Sequence, residues 1–227
     1  MQDRLLLIDT DAFCDEGVFA HFFAKMPPER QKKIDAFKFD RDKRLSLGAG
    51  VLLETVAAQA GAGELCYGEK GKPFFAQGGV HFNLSHSGHY AVCAVSDKPV
   101  GVDIETVRVF SESLVRHVFD SGERAFAQGS DESFTQLWTI KESVMKFFGQ
   151  GVGISPKKIS IGFEPRVCVN TEGYDCGGLR FCGFAGQDFA LTVCSQSEEF
   201  CKGVTQVCIG EDFELQTCAF DGAKRIY

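Results

Sequence analysis

The amino-acid sequence predicts an α+β protein, because helical patterns lead into sets of strand patterns in each half of the chain. The chain has 227 residues, which is enough for one large domain or two small ones. Hydrophobic residues make up 44% and charged residues 24%, as in ordinary globular proteins. We therefore expect two similar lobes, residues 1–106 and 107–227, each with helices packed on an antiparallel sheet.

The first half contains helix patterns followed by strand patterns. Leu45, Leu52 and Val56 recur at helical spacing in its longest helix, which Gly61 ends. We predict helices over 16–25, from Pro27-Pro28 onward and over 42–60. We predict strands over 4–9, 64–67, 73–76, 80–85, 90–96 and 99–105.

The second half repeats this order. A strong amphipathic helix covers 133–148, with Leu137, Trp138 and Val144 on its apolar face, and shorter helices precede it at 111–118 and 121–128. The strand predictions that follow are 158–163, 166–170, 179–184, 188–195, 204–209 and 213–219.

Composition limits the function classes. The formal charge of −7 argues against general nucleic-acid binding. No stretch of 18 apolar residues predicts a membrane span, and the run Leu5–Ile8 is too short for a signal peptide, so we expect a cytoplasmic protein. None of the ten cysteines has C-x-x-C spacing. We therefore expect reduced, largely buried thiols and no structural zinc.

The segment 25–44 carries eight basic residues against four acidic ones, within a negatively charged chain. One interpretation is a solvated helix surface, which is common for a charge run. The other is a local anion-binding site.

Acidic and basic side chains recur at two further places. Asp103 and Glu105 share one face of a strand, where paired carboxylates suit Mg²⁺ or simply mark a solvated strand end. On the 133–148 helix, Lys141 falls in the middle of the apolar face, and Glu142 and Lys146 are four residues apart. These three form either a surface ion pair with a snorkelling lysine or a buried site for a metal and phosphates.

The stretch 81–89 is a strand running into a polar turn, with side chains that can donate hydrogen bonds to a phosphate. Ser85 and His86 are adjacent on a strand and therefore face opposite ways. A hydrolytic Ser-His dyad is for that reason a poor interpretation.

In this order, the motifs resemble those of a 4′-phosphopantetheinyl transferase of the Sfp type. The segments that carry the resemblance are Gly71-Lys72-Pro73, Phe82-Asn83-Leu84-Ser85-His86-Ser87-Gly88, Gly101-Val102-Asp103-Ile104-Glu105 and Trp138-Thr139-Ile140-Lys141-Glu142-Ser143, with Lys146 beyond. The resemblance implies a pseudo-dimer of two lobes with the active site between them. It implies transfer of the phosphopantetheine arm of coenzyme A to a serine of an acyl or peptidyl carrier protein, with release of 3′,5′-ADP.

The resemblance also implies residue roles. Asp103, Glu105 and Glu142 match the family's Mg²⁺ ligands, and Glu142 is the favoured base for the incoming serine. Lys141 and Lys146 match the lysines that face the phosphates and stabilise charge during transfer.

Other matched residues lie at the nucleotide end. Ser85 and His86 match the turn that contacts it, and the remaining candidates are Lys72, Arg30, Lys33 and Arg44. Leu45 follows Arg44 where some members carry a hydroxyl residue, and neighbouring Ser46 is expected to point elsewhere.

Two alternatives remain: a non-catalytic protein that binds coenzyme A or the carrier, and a Mg²⁺ pyrophosphohydrolase that transfers to water. Partners are expected to be coenzyme A and the carrier of fatty acid, polyketide or nonribosomal peptide synthesis, without nucleic acid or membrane. A pseudo-dimer has little need of a partner subunit, so we expect a monomer.

Overall fold

The computed structural model describes residues 3–61, 63, 65–67, 73–149 and 153–227. Its first half confirms the predicted order of elements. The helices are α1 (Glu16–Lys25), α2 (Pro28–Asp35) and α3 (Asp40–Ala60). The strands are β1 (Arg4–Asp9), β2 (Leu65–Tyr67), β3 (Pro73–Phe75), β4 (His81–Ser87) and β5 (Tyr90–Ser96). Helix α3 begins two residues before the prediction, with Asp40 and Asp42 in its first turn, where negative charge complements the helix dipole.

The second half also follows the prediction, with one additional strand. The helices are α4 (Glu112–Val118), α5 (Ser121–Ala127) and α6 (Asp131–Phe147). The strands are β6 (Val100–Thr106), β7 (Ile159–Gly162), β8 (Cys168–Thr171), β9 (Arg180–Gly186), β10 (Phe189–Ser195), β11 (Thr205–Ile209), β12 (Leu215–Ala219) and β13 (Ala223–Arg225). Strand β13 has three residues and no apolar alternation, so the pattern did not predict it.

The two main sheets share a topology. One has the order β12-β11-β1-β5-β4 and the other β13-β9-β10-β6. Within them, β1-β5-β4 and β6-β10-β9 are both antiparallel. In each set a strand comes first, a long helix and a two-stranded ribbon follow, and a hairpin returns beside the strand. The α+β prediction is confirmed, and the strand order repeats as two similar units.

Strand pairing crosses the predicted boundary between 1–106 and 107–227. Strand β6 pairs with β10, with Asp103 opposite Thr192, so the strand belongs to the second sheet. Strands β11 and β12 instead extend the first sheet, where β11 runs parallel to β1. The repeated topology favours a division in the turn at 97–99. The pattern of a strand does not reveal which sheet it joins, and this explains the difference.

Three apolar clusters hold the fold together. Helix α3 packs on one face of the first sheet through Leu52 and Val56, and α6 packs on the second sheet through Leu137 and Val144. A third cluster combines strand residues of both sheets, including Leu7, Val102 and Leu191. The two sheets therefore meet face to face along an apolar seam, and the helices cover their outer faces.

The cysteine prediction is wrong for one pair. Cys182 and Cys201 form a disulfide that joins β9 to a short 3₁₀ helix at Glu199–Lys202. Cys93 is a free, buried thiol, and burial raises its pKa to about 12. Spacing along the chain does not indicate which cysteines meet in space, so the pairing could not be predicted. Within the described residues, no helix is long and apolar enough to cross a membrane.

Candidate active site

A cleft of about 630 Å³ opens between residues of the two repeated units. Besides apolar side chains, the first unit contributes basic and hydroxyl side chains, and the second unit contributes three carboxylates and one lysine. The lining residues that matter here are Arg30, Lys33, Ser46, Ser85, His86, Asp103, Glu105, Trp138, Glu142 and Lys146. The cleft therefore combines an acidic wall with a basic one.

Helix α6 reaches the cleft because β6 has a glycine where the two elements meet. A Cβ atom at Gly101 would lie 2.5 Å from the backbone nitrogen of Phe147 and would overlap the carbonyl oxygen of Ser143. Only glycine allows so close an approach. The close packing holds Glu142 and Lys146 of the helix beside Asp103 of the strand.

Asp103 is the most enclosed carboxylate of the cleft, with 5% of its surface exposed. Lys146 Nζ lies 2.6 Å from Asp103 Oδ1, and Ser85 Oγ donates to the same oxygen at 2.8 Å. Burial raises the pKa of the Asp103 carboxyl, while the Lys146 ammonium acts in the opposite direction. Lys146 therefore supplies positive charge at this carboxylate, consistent with its predicted place in the cleft.

Strand β4 lies against the free edge of β6 without pairing with it through the backbone. Instead, side-chain oxygens of β4 accept hydrogen bonds from backbone N–H groups of β6. The bonds run from Val102 to Asn83 Oδ1 (2.8 Å), from Ile104 to Ser85 Oγ (3.3 Å) and from Thr106 to Ser87 Oγ (3.0 Å). We call these three contacts the β4–β6 ladder.

Glu105 is more exposed than Asp103, with 23% and 8% of the two side chains exposed. Ser87 Oγ donates to Glu105 Oε2 at 2.6 Å, and Arg108 Nη2 lies 3.6 Å from Glu105 Oε1. The Arg108 guanidinium also lies over the Trp138 ring, 5.5 Å from its centroid. A serine and an arginine thus both bind this carboxylate.

Glu142 completes the acidic wall. Burial, and then the negative charge of Asp103, raise the pKa of its carboxyl. Carboxylates that repel each other in this way favour a cation between them, and an oxygen-only ligand set suits Mg²⁺. In the described part of the chain, the group whose ligand atoms all lie within 4.8 Å is Asp9, Asp11 and His89, outside this cleft. The three cleft carboxylates share one wall without meeting that distance.

Lys141 does not belong to the cleft, and its predicted phosphate-facing role is corrected. Its ammonium lies 2.8 Å from Glu123 Oε2, and both side chains are buried. It also donates to the carbonyl oxygens of Val118, Pro156 and Ile159. Lys141 therefore neither snorkels to the surface nor faces the cleft, because it pairs with a buried acid. The sequence contained a signal for Glu123, since Asp120 and Glu123 have capping-box spacing.

The basic wall contains two of the predicted phosphate-binding residues. Arg30 Nη2 donates to the carbonyl oxygen of Ser46 at 2.7 Å. Partial burial, and then the charge of Arg30, lower the pKa of Lys33. Removal from water, and then the charge of Lys146, lower the pKa of His86. The positive charges of Arg30 and Lys33 create a region that favours anions.

The other residues predicted near the nucleotide end are not all placed as expected. Arg44 is not among the cleft-lining residues, since it precedes Ser46 by two positions and so points to another side of α3. Ser46, which was expected to point elsewhere, lines the cleft and is 5% exposed. Its Oγ has no hydrogen-bond partner among the described residues. Lys72 lies outside the described residues.

Comparisons with known proteins identify the family of the chain. Residues 99–194 match the 4′-phosphopantetheinyl transferase superfamily, and residues 15–98 match the N-terminal family of 4′-phosphopantetheinyl transferases. A Bacillus subtilis 4′-phosphopantetheinyl transferase is 30% identical over 195 residues, covering 80% of this chain and 87% of the relative.

Two further relatives have the same description. The 4′-phosphopantetheinyl transferase Sfp of Bacillus subtilis strain 168 is 27% identical, covering 84% of this chain and 91% of the relative. The 4′-phosphopantetheinyl transferase HetI of a Nostoc species is 30% identical, covering 63% and 67%. With matches over most of its length, this chain belongs to the 4′-phosphopantetheinyl transferase superfamily.

Proposed function

We propose that this protein transfers the 4′-phosphopantetheine arm of coenzyme A to a serine of an acyl or peptidyl carrier protein and releases 3′,5′-ADP. The observation that carries the proposal is the cleft itself. Asp103, Glu142 and Lys146 line one wall, and Arg30 and Lys33 line the other. The pyrophosphate of coenzyme A is negatively charged. It can bind basic residues directly, and it can approach carboxylates that hold a divalent cation.

The acidic wall fits a divalent cation by its chemistry. Asp103, Glu105 and Glu142 offer oxygen ligands only, which is the set that Mg²⁺ prefers. These three residues would hold the ion. When bound, Mg²⁺ neutralises charge on the pyrophosphate of coenzyme A and on the leaving group.

The residues of the chain supply the rest of the reaction. Lys146 stabilises negative charge on the transferred phosphoryl group, because its ammonium lies in the cleft 2.6 Å from Asp103. Glu142 accepts the proton of the attacking serine. Serine oxygen then replaces the leaving oxygen of 3′,5′-ADP at phosphorus.

The basic wall binds the nucleotide end of coenzyme A. Arg30 and Lys33 provide positive charge for its phosphates, and His86 provides a hydrogen-bonding group beside them. Ser46 adds a buried hydroxyl to this wall. The partners we propose are therefore coenzyme A and a carrier protein, with a monomer acting in the cytoplasm.

The test is mass spectrometry of a panel of apo carriers from fatty acid, polyketide and nonribosomal peptide synthesis. Each is incubated with the protein, coenzyme A and Mg²⁺. We expect at least one carrier to gain a phosphopantetheine group, with release of one 3′,5′-ADP per modified serine. Cleavage of coenzyme A without any carrier would instead support a pyrophosphohydrolase. Binding of coenzyme A without turnover on every carrier would contradict the proposal.

A further inference from the structure

We propose that Ser85 and Ser87 of β4 are positioning residues for the cation, because they orient the carboxylates of Asp103 and Glu105. The inference rests on the proposed function, since it concerns the same cleft. It assigns the serines to the acidic wall, whereas the resemblance placed Ser85 at the nucleotide end. Both serines act through the carboxylates they bind.

The direction of each hydrogen bond follows from the number of hydrogens available. A backbone N–H can only donate, so Ser87 Oγ accepts from Thr106 N through a lone pair. Its single hydrogen then goes to Glu105 Oε2 at 2.6 Å, since an ionised carboxylate can only accept. Thr106 Oγ1 is farther from Ser87 Oγ, at 3.3 Å. Ser87 therefore binds the backbone through a lone pair of Oγ and binds Glu105 through its hydroxyl hydrogen.

Ser85 repeats this arrangement two residues earlier on both strands. It accepts from Ile104 N and donates to Asp103 Oδ1 at 2.8 Å. In each case, the carboxylate belongs to the residue just before the N–H that the serine accepts. The two serine oxygens of the ladder thus fix both the backbone of β6 and the orientation of its two acidic side chains.

Such positioning should strengthen cation binding. A carboxylate held by a second residue loses less conformational freedom when it binds an ion. Loss of such a supporting hydrogen bond typically weakens metal affinity by about 10- to 100-fold. Ser87 gives the clearer test of the two, because Ser85 Oγ also accepts from Lys146 Nζ at 2.8 Å.

Asn83 provides a matched control within the same ladder. Its Oδ1 accepts from Val102 N at 2.8 Å, so it joins β4 to β6 as the serines do. The hydrogen bonds of Asn83 include none to a cleft carboxylate within the described residues. Asn83→Ala therefore removes a strand-joining bond alone, and Ser87→Ala removes both a strand-joining bond and a carboxylate contact.

The experiment measures Mn²⁺ binding as a probe of the cation site. Free Mn²⁺ is followed by its electron paramagnetic resonance signal, with the full-length protein saturated with coenzyme A. We expect Ser87→Ala to weaken Mn²⁺ binding by about 10- to 100-fold. We expect the Mn²⁺ affinity of Asn83→Ala to stay within about twofold of the wild type. Ser87→Thr keeps the hydroxyl and should therefore keep an affinity close to that of the wild type.

Equal Mn²⁺ affinity in Ser87→Ala and the wild type would overturn the proposal, and so would equal losses in Ser87→Ala and Asn83→Ala. If Ser87→Ala does not fold, Ser87→Cys keeps the volume with only a weak donor and should show the same loss. The binding measurement needs no carrier protein. If the variants show the expected differences in Mn²⁺ affinity but the wild type modifies no carrier, the positioning role is supported and the proposed function is refuted.

Discussion

Lys141 and Glu123 form an ion pair of 2.8 Å in which the two side chains are 1% and 0% exposed. Glu123 Oε1 also accepts from Ile161 N at 3.0 Å, and Oε2 accepts from Asp120 N at 2.9 Å. Burial lowers the pKa of the Lys141 ammonium, while Glu123 opposes this effect. The pair connects α6, which carries Glu142 and Lys146, to α5 and β7.

Lys141→Met should destabilise the protein without acting on coenzyme A directly. The substitution leaves the carboxylate of Glu123 buried without its cation, which typically costs about 3–5 kcal/mol. Chemical denaturation followed by circular dichroism measures this loss. At a temperature where the variant is folded, we expect the KM for coenzyme A to change little.

A second substitution separates the charge effect from loss of packing. Adding Glu123→Gln removes the uncompensated charge and keeps a hydrogen-bonding side chain at the capping position, so it should recover part of the lost stability. Unchanged stability in Lys141→Met, together with a large rise in KM for coenzyme A, would restore the phosphate-facing role that the motif implied.

The sequence predicted the elements well and the environment of single side chains less well. Strand and helix patterns depend on local periodicity. Asp103, Glu105 and Glu142, which the motifs singled out, line one cleft. The prediction that Ser46 points elsewhere was wrong, because α3 is buried on most sides and its pattern does not distinguish a core-facing from a cleft-facing side. The predicted role of Lys141 was wrong for a related reason. Its partner Glu123 lies on another helix, and the pattern of one helix does not show which residue of another helix it contacts.

Glu142→Gln should abolish transfer without unfolding the chain. The change keeps the shape of the side chain and removes a negative charge that repels Asp103, as the raised pKa of Glu142 indicates. We expect at least a 100-fold loss of kcat, in line with the usual contribution of a general base, and a free energy of unfolding within about 0.5 kcal/mol of the wild type. Glu132→Gln, an exposed position on the same helix, is the control and should retain full activity. Wild-type turnover in Glu142→Gln would remove this residue from the mechanism.

The pKa of His86 should lie below its usual value of 6.5 in the free protein, because the ring is partly removed from water and lies near the positive charge of Lys146. The unfolded chain binds this proton more tightly, so stability should fall as pH drops from 6.5 through the lower folded pKa. Coenzyme A phosphates would offset the positive charge of the cleft and raise the pKa of His86.

The pKa of His86 with and without coenzyme A can be measured by nuclear magnetic resonance, from its imidazole C–H resonances as a function of pH. The resonance that is missing in His86→Gln belongs to His86. That variant should also lose the part of the pH-dependent destabilisation that His86 causes. A pKa of His86 that does not move when coenzyme A binds would place this imidazole away from the phosphates.

Ser46→Ala should weaken binding of coenzyme A without destabilising the free protein. Ser46 Oγ is buried in the cleft wall and has no hydrogen-bond partner among the described residues. Its removal should therefore leave the free energy of unfolding unchanged or slightly higher, because an unpaired buried hydroxyl is unfavourable. A hydrogen bond to coenzyme A is worth about 0.5–1.5 kcal/mol, so its loss should raise the KM about 2- to 10-fold. Arg44→Ala is the matched control, since Arg44 points to another side of α3 and should leave the KM unchanged. The opposite result, an effect of Arg44→Ala and none of Ser46→Ala, would mean that the nucleotide end binds elsewhere on α3.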